Sequence, residues 1–161
     1  KYIWNDYQIG EKIDHIDGMT IEEADHMTAT RLYQNTAKVH FNEHTEKKGR
    51  LGSRIVYGGH VISLVRMLSF NGMSNAFKIL AINAGKHVAP TIAGNTIYAW
   101  TEIVDKQELP KNKDLGVLRL KTIGIKDSSC QNFPLYKNGD AEYNDNVVLE
   151  IDYSVLMPRK A

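Results

Sequence analysis

The sequence has a single cysteine, Cys130, so an internal disulfide is excluded. Because disulfides belong to oxidising compartments, we expect a reducing, cytoplasmic location. There is no C-x-x-C pair and no run of histidines and cysteines of the kind that holds structural zinc. The chain of 161 residues must therefore be stabilised by its own apolar core, without disulfide or metal cross-links.

An excess of one charge is also missing. Twenty Lys and Arg against 19 Asp and Glu give a net charge of +1, which argues against nucleic acid or an anionic membrane as a partner. No apolar run is long enough to span a bilayer, and we expect no signal peptide. With 42% hydrophobic residues the composition is ordinary, and we assign residues 1–161 to one globular domain.

Two segments carry helix signals. The run Thr20-Ile21-Glu22-Glu23 has the pattern of a capping box, a hydroxyl at the N-cap and a carboxylate three residues later, and it predicts a helix over residues 21–33. Residues 61–70 leave no wide polar face, so we expect this second helix to be surrounded by protein. Between them, residues 42–53 are rich in charge and glycine, which predicts a solvated, mobile loop.

The second half of the chain alternates as strands do. Residues 95–104 carry bulk on both faces, which predicts a central strand, and Leu118-Arg119-Leu120-Lys121 begins another alternation. Residues 147–157 are apolar at every second position, and residues 78–89 give a weaker strand pattern. Turns are predicted between strands at Pro90 to Gly94, Pro110 to Asp114 and Asn138-Gly139-Asp140.

An apolar helix followed by several antiparallel strands has one natural packing solution. The sheet curls around the helix and buries it, which is the α+β arrangement called the hot-dog fold. The outer edges of such a sheet stay exposed. We therefore expect this unit to pair with a second hot-dog unit, as a homodimer or with a different chain.

The most informative residues form three motifs. They are Asn35-Thr36-Ala37-Lys38-Val39-His40 and Ile55-Val56-Tyr57-Gly58-Gly59-His60-Val61-Ile62-Ser63, followed by Pro90-x-x-x-Gly94-Asn95-Thr96. In this order they resemble the MaoC-like dehydratases and (R)-specific enoyl-CoA hydratases. That family has an aspartate five residues before a catalytic histidine, and an apolar-apolar-His-Gly run at the helix start. Here His40 matches the histidine, Asn35 replaces the aspartate, and Tyr57-Gly58 replaces His-Gly.

Further segments resemble the second hot-dog half of the mesaconyl-CoA hydratases, also called β-methylmalyl-CoA dehydratases. These segments are Gly18 to Ala24, Arg31 to Ala37, Tyr57 to Leu64, Ala81-Ile82-Asn83 and His87-Val88-Ala89-Pro90. The resemblance implies a lyase that reversibly hydrates an α,β-unsaturated acyl-CoA, with a short branched dicarboxylic acyl group such as mesaconyl. It implies no metal and no redox cofactor, since coenzyme A arrives as part of the substrate.

The resemblance assigns the chemistry to His40. An imidazole titrates near neutral pH, so it takes a proton from water and returns it to the substrate. A carboxamide is not a base, and Asn35 is therefore expected to orient the water or the substrate carbonyl. Without its motif context, a histidine after an apolar residue is more often a hydrogen-bonded structural residue.

Around His40 we expect a substrate-binding set. The amides of Gly58 and Gly59, at a helix start, are candidates for holding the charge that develops on the thioester oxygen. Tyr57, Ser63 and His60 are expected to line the pocket, and Arg54 to meet phosphates or a second carboxylate. The competing structural interpretations are a tight turn for the glycines, a carbonyl bond for Ser63 or His60, and a solvated loop for Arg54.

Two alternatives stay open. A hot-dog thioesterase shares the fold and the ligand, but such enzymes commonly carry an Asp or Glu on or near the central helix, and residues 58–76 contain neither. The second alternative is a non-catalytic hot-dog half that completes a partner's active site, which the loss of the aspartate at Asn35 favours. In an active unit, His40 and Asn35 should face one pocket near the Gly58 and Gly59 amides.

Overall fold

Alternating apolar side chains build an antiparallel sheet. The computed structural model describes residues 2–137 and 141–160. Their strands are β1 (Lys12–Asp14), β2 (Met19–Thr20), β3 (Lys78–His87), β4 (Thr96–Leu109), β5 (Asn112–Lys126) and β6 (Val147–Pro158). The strand order is β1-β4-β5-β6-β3, and β2 also pairs with β4. One edge of the sheet is therefore the long strand β3, and the other consists of two very short strands.

The helices are α1 (Glu23–Leu32), α2 (Glu43–Glu46), α3 (Gly58–Leu68) and α4 (Phe70–Met73). The apolar helix α3 lies in the concave side of the sheet and packs on β4, β5 and β6 through Val61, Val65 and Leu68. Gly124 of β5 allows this close approach, because a Cβ there would lie 2.7 Å from a methyl of Val65. The predicted hot-dog fold is confirmed.

The expectation that this helix is surrounded by protein is wrong for the single chain. Only Val61, Val65 and Leu68 of α3 are buried, whereas the side chain of Met67 is 43% exposed and that of Phe70, just beyond the helix, 67%. The reason is geometric, since a single curved sheet covers one side of the helix and leaves the other open.

The strand predictions are largely confirmed. In β6, buried and half-buried positions alternate from Leu149 to Pro158, and β4 has strands paired on both of its edges. The inner face of β4 contributes Ile97, Ala99 and Ile103 to the main core. On its outer face Trp100 packs with Cys130 and neighbours from the loop that follows β5. Both faces of β4 are covered, as its bulky residues indicated.

The capping box at Thr20 is not formed. Thr20 belongs to β2, where its hydroxyl bonds the hydroxyl of Thr96 at 2.8 Å. Helix α1 begins at Glu23, and the N-cap residue Glu22 makes no side-chain cap. Because β2 pairs with β4, the hydroxyl of Thr20 bonds Thr96 and does not cap helix α1 as the local pattern predicted. The helix predicted over residues 21–33 is present, but it is shorter and spans Glu23–Leu32.

The loop of residues 42–53 is more ordered than predicted. It contains the short helix α2, whose N-cap residue Asn42 accepts a hydrogen bond from the amide of Thr45 at 3.2 Å. The turn predicted from Pro110 to Asp114 is shorter in the structure, because Leu109 already pairs with Asn112. The turn predicted at residues 138–140 lies outside the described residues.

Two searches among the described residues gave negative results. None of the helices in residues 2–137 and 141–160 is long and apolar enough to cross a membrane. The same residues contain no group of three histidine, cysteine or acidic side chains placed to hold a metal ion.

Candidate active site

His40 ends a short 3-10 turn, Lys38–His40, which is tied to the segment before α3. The amide of Ile55 donates to the carbonyl of Val39 at 3.1 Å, and the Nδ1 atom of His40 lies 2.8 Å from the carbonyl oxygen of Ile55. Because a carbonyl oxygen only accepts, Nδ1 carries the proton. In the neutral ring, Nε2 is then left with a lone pair that accepts a proton.

The His40 side chain is half-buried and lines a cavity of about 410 Å³, hereafter the His40 cavity. Its walls are residues 55–56, the start of α3 at Gly58 and Val61, Val148 of β6, and residues 87–91. The amide of Val56 donates to the carbonyl of Thr91 at 2.8 Å, which ties two of these walls together. No acidic side chain is among the lining residues.

The start of α3 presents free backbone donors. The first amides of α3 that donate a hydrogen bond to a preceding carbonyl are those of His60 and Val61. Both donate to the carbonyl of Tyr57, at 2.9 and 3.4 Å. Within the described part of the chain, the amides of Gly58 and Gly59 have no acceptor. Unpaired amides at the positive end of a helix favour an anion or a developing negative charge.

Tyr57 is the N-cap residue of α3, and its ring folds back over the helix start. The position of Gly59 allows this, because a Cβ there would lie 2.5 Å from the Tyr57 ring. The ring of Tyr57 lies edge-on to that of His40, with centroids 6.0 Å apart, and 6.2 Å from the ring of Tyr33. Tyr57 therefore connects His40 with helix α1.

A second cavity, of about 360 Å³, lies between α1 and α3 and is called here the His60 cavity. Tyr57, His60 and Ser63 line it from α3 and its cap, and Asp25 and Tyr33 line it from α1 and its C-cap. Burial lowers the pKa of His60, the nearby His26 lowers it further, and Asp25 opposes both. The structure thus divides the predicted pocket residues between two neighbouring cavities.

Asn35 is not brought into the His40 cavity. Its side-chain oxygen accepts a hydrogen bond from the amide of Ala37 at 2.9 Å, and Asn35 is not among the residues that line the cavity. The bond closes a turn just before the 3-10 turn that carries His40. An orienting role for Asn35 in catalysis stays a prediction.

Arg54 is held between helices and is not a solvated loop residue. Its side chain is only 11% exposed, it pairs with Glu23 of α1, and it lies 3.6 Å from Glu43 of α2. A third contact runs to the sulfur of Met27 at 3.2 Å. These contacts position α1 and α2 on the segment that leads into α3. A role for Arg54 toward phosphate or carboxylate groups of a substrate stays a prediction.

Reasoning from sequence missed His87. This residue ends β3, yet its ring lies against the start of α3 and lines the His40 cavity. A Cβ at Gly58 would lie 2.6 Å from its Nε2 atom. The available signal was its place three residues before Pro90, the first residue of the Pro90-x-x-x-Gly94-Asn95-Thr96 motif.

A curved sheet around an apolar helix, with a glycine pair and a histidine cavity at the helix start, is a hot-dog domain, and the chain is similar over almost its whole length to proteins of the MaoC-like dehydratase type. Beta-methylmalyl-CoA dehydratase of Chloroflexus aurantiacus is 60% identical over 159 residues, which are 99% of this chain and 45% of that protein. Mesaconyl-CoA hydratase of Cereibacter sphaeroides is 50% identical over 156 residues, which are 97% of this chain and 44% of that protein.

The solved structures agree. The crystal structure of a MaoC domain protein dehydratase from Chloroflexus aurantiacus superposes with a TM-score of 0.95 at 59% identity, covering 99% of this chain and 45% of that one. A search against models of protein families found no match. The chain spans less than half the length of the curated relatives that it matches. Which half it corresponds to stays a prediction.

Proposed function

We propose that this chain is one hot-dog unit of an enzyme that reversibly hydrates an α,β-unsaturated acyl-CoA thioester. The proposed acyl group is a short branched dicarboxylate of the mesaconyl type, and residues 1–161 are proposed to form one domain. The observation that carries the proposal is the 60% identity, over 99% of the chain, to a relative named Beta-methylmalyl-CoA dehydratase. The His40 cavity supports it independently, since it combines an imidazole with the free amide of Gly58 at a helix start.

In the proposed reaction His40 is the acid and base. Its free Nε2 accepts a proton from water while the water oxygen bonds to the β carbon. The electrons of the double bond move toward the thioester, and negative charge builds on its oxygen. The amides of Gly58 and Gly59 hold that charge. The proton on Nε2 then passes to the α carbon, and the reverse sequence eliminates water.

The other predicted residues have supporting parts in this proposal. Asn35 fixes the turn before His40 and orients water or substrate, and Tyr57 contacts the His40 ring. Ser63 and His60 line the neighbouring cavity, which we propose receives another portion of the acyl-CoA. The coenzyme A moiety belongs to the substrate, and no further cofactor is proposed. A reducing, cytoplasmic compartment fits the buried free thiol of Cys130.

We also propose that the chain works beside a second hot-dog unit. All ten residues of β3 are exposed, and β3 has an unpaired edge among the described residues. Ile79 and Ile82 of β3 line an apolar groove of about 230 Å³ with Ile62 of α3. A long open edge beside an apolar groove is suited to covering by another unit. The length of the curated relatives, more than twice this chain, fits such a pair.

The two alternative functions, a thioesterase and a non-catalytic half, have weaker support. A thioesterase acting through a carboxylate is disfavoured, because the His40 cavity has no acidic lining residue. A non-catalytic half is favoured by the turn that occupies the side-chain oxygen of Asn35. It is disfavoured by His40, whose Nδ1 bond leaves Nε2 open toward a cavity and not in a dry core.

The test is the ultraviolet absorbance change of enoyl-thioester hydration. The protein in its native assembly is mixed with mesaconyl-CoA or crotonyl-CoA, beside a His40→Ala variant. Turnover that prefers mesaconyl-CoA and disappears in the variant is the expected result. A folded, assembled protein without turnover on either substrate would contradict the proposal, and release of free coenzyme A would favour the thioesterase.

A further inference from the structure

His87 is fixed in position by the sheet. It is paired with Leu149 of β6, and the next residue, Val88, donates its amide to the carbonyl of Val148 at 2.9 Å. Three residues further, Thr91 accepts the amide of Val56. Residues 87–91 are therefore bonded on one side to β6 and on the other to the segment that enters α3. The imidazole of His87 is held where the sheet meets the helix start.

The imidazole lies directly on Gly58. A Cβ built on Gly58 would be 2.6 Å from Nε2 and 2.9 Å from Cε1 of His87, both shorter than contacts that a real Cβ makes. Gly58 is not at positive φ, so glycine is not needed there for the backbone conformation. Its missing side chain instead leaves the space that the His87 ring occupies, beside the free amide of Gly58.

The ring of His87 has no hydrogen-bond partner among residues 2–137 and 141–160, although it lines the His40 cavity. Among the described residues, no acidic side chain lines that cavity. The two imidazoles differ in this respect, because Nδ1 of His40 is bonded to a carbonyl whereas neither ring nitrogen of His87 has a partner among the described residues, and its Nε2 atom packs against Gly58. The unpaired His87 ring and the unpaired amide of Gly58 line the same cavity, so they are two potential donors to one oxygen atom there.

The ring of His87 is suited to remain neutral. His87 is exposed in the single chain, yet the protein around its ring partly desolvates it and lowers the pKa of this imidazole below its usual value. The positive end of helix α3 acts in the same direction, since it disfavours a second positive charge. A neutral imidazole at a helix start is an effective hydrogen-bond donor to a carbonyl oxygen that becomes negative during reaction.

We infer that His87 is a further catalytic residue, whose ring N–H and the amide of Gly58 together bind the thioester oxygen of the substrate. The inference rests on the proposed hydratase function. In the proposed hydration the two imidazoles of one cavity have different roles. His40 transfers the proton, and His87 stabilises the negative charge on the thioester oxygen without changing its own protonation.

The experiment compares His87→Phe, which keeps a ring but removes the donor, with His87→Gln, which keeps an N–H. His44→Phe is the matched control, because His44 is exposed on α2 and is not among the residues lining the His40 cavity. With mesaconyl-CoA and the native assembly, we expect His87→Phe to lower kcat by about 100- to 1,000-fold, the cost of losing one such donor. We expect His87→Gln to recover at least a tenth of wild-type kcat, and the control to match wild type.

A second measurement is independent of turnover. Methylsuccinyl-CoA has no double bond to hydrate, and a ¹³C label at its thioester carbon reports the polarisation of the carbonyl. We expect a downfield shift on binding to wild type and to His40→Ala, and a reduced shift with His87→Phe. Equal kcat and equal shift in His87→Phe and wild type would overturn the role of His87. A shift that depends on His87 in a protein without turnover would contradict the hydratase and leave the donor role standing.

Discussion

Two cavities flank the start of α3, and they differ in charge. The His40 cavity has two imidazoles and otherwise uncharged lining residues, whereas the His60 cavity has one imidazole opposite the carboxylate of Asp25. Gly58 lines the His40 cavity, and Gly59 lines the His60 cavity. The same helix start therefore serves two different environments.

The difference supports the proposal that the chemistry takes place in the His40 cavity. A nearby carboxylate raises the pKa of an imidazole. No carboxylate among the described residues lines the His40 cavity to act on His87 in this way. In the His60 cavity, Asp25 raises the pKa of His60 against the larger effect of burial, and both groups lie beside exposed Tyr33. That cavity is better suited to binding a polar part of a ligand.

The largest expected effect separates the two cavities directly. His40→Ala should lower kcat/KM for mesaconyl-CoA by about 100- to 10,000-fold, because it removes the acid and base. His60→Ala should lower it by less than about tenfold, since His60 makes binding contacts only. Steady-state absorbance assays on both variants provide the comparison. Equal losses in the two variants would mean that the cavities form one site.

A smaller effect is expected from Gly58→Ala. The new methyl would lie 2.6 Å from Nε2 of His87 and must displace that ring, so we expect a loss of about 100-fold in kcat. Gly85→Ala in β3 is the control, because a Cβ there meets nothing within 4 Å. Circular dichroism should be unchanged in both. Wild-type kcat in Gly58→Ala would argue that the contact with His87 has no catalytic consequence.

Arg54→Met should change stability more than chemistry. The variant removes the ion pairs with Glu23 and Glu43 that hold α1, one wall of the His60 cavity. We expect a decrease of about 1 kcal/mol in the free energy of unfolding, measured with urea, and an unchanged kcat. A KM for the acyl-CoA that rises by more than tenfold would instead favour direct contact between Arg54 and the ligand.

The smallest effect concerns pH. Burial and His26 lower the pKa of His60 in the folded protein, so the unfolded chain binds more protons at acidic pH. The folded state should therefore lose stability as pH falls below the ordinary histidine value of about 6.5. In His60→Gln this loss, measured by urea unfolding at two pH values, should be smaller than in wild type. His44→Gln should show the wild-type dependence.

Local patterns predicted most of the fold. The apolar run of α3 and the alternation of β6 each report burial by a nearby surface, and both elements are present. The position of His40 beside the start of α3 also agrees with the order of the motifs. These are features in which neighbouring residues carry the information.

Features that depend on long-range register were missed. Thr20 belongs to β2, because it pairs with Thr96 of β4 and the two hydroxyls form a hydrogen bond. The contact of His87 with Gly58 depends on where the edge strand ends relative to the helix, which no local periodicity reports. The partners of Arg54 likewise come from two helices whose packing is a property of the whole fold.

The long edge strand β3 has a consequence for how such units are joined. An exposed edge of ten residues with apolar side chains such as Ile79 and Leu80 is a template for unintended pairing between chains. Where two hot-dog units share one polypeptide, the tether keeps the intended partner at an effective concentration in the millimolar range. A cognate edge at that concentration outcompetes foreign strands, so covalent linkage acts as protection against aggregation as well as a route to assembly.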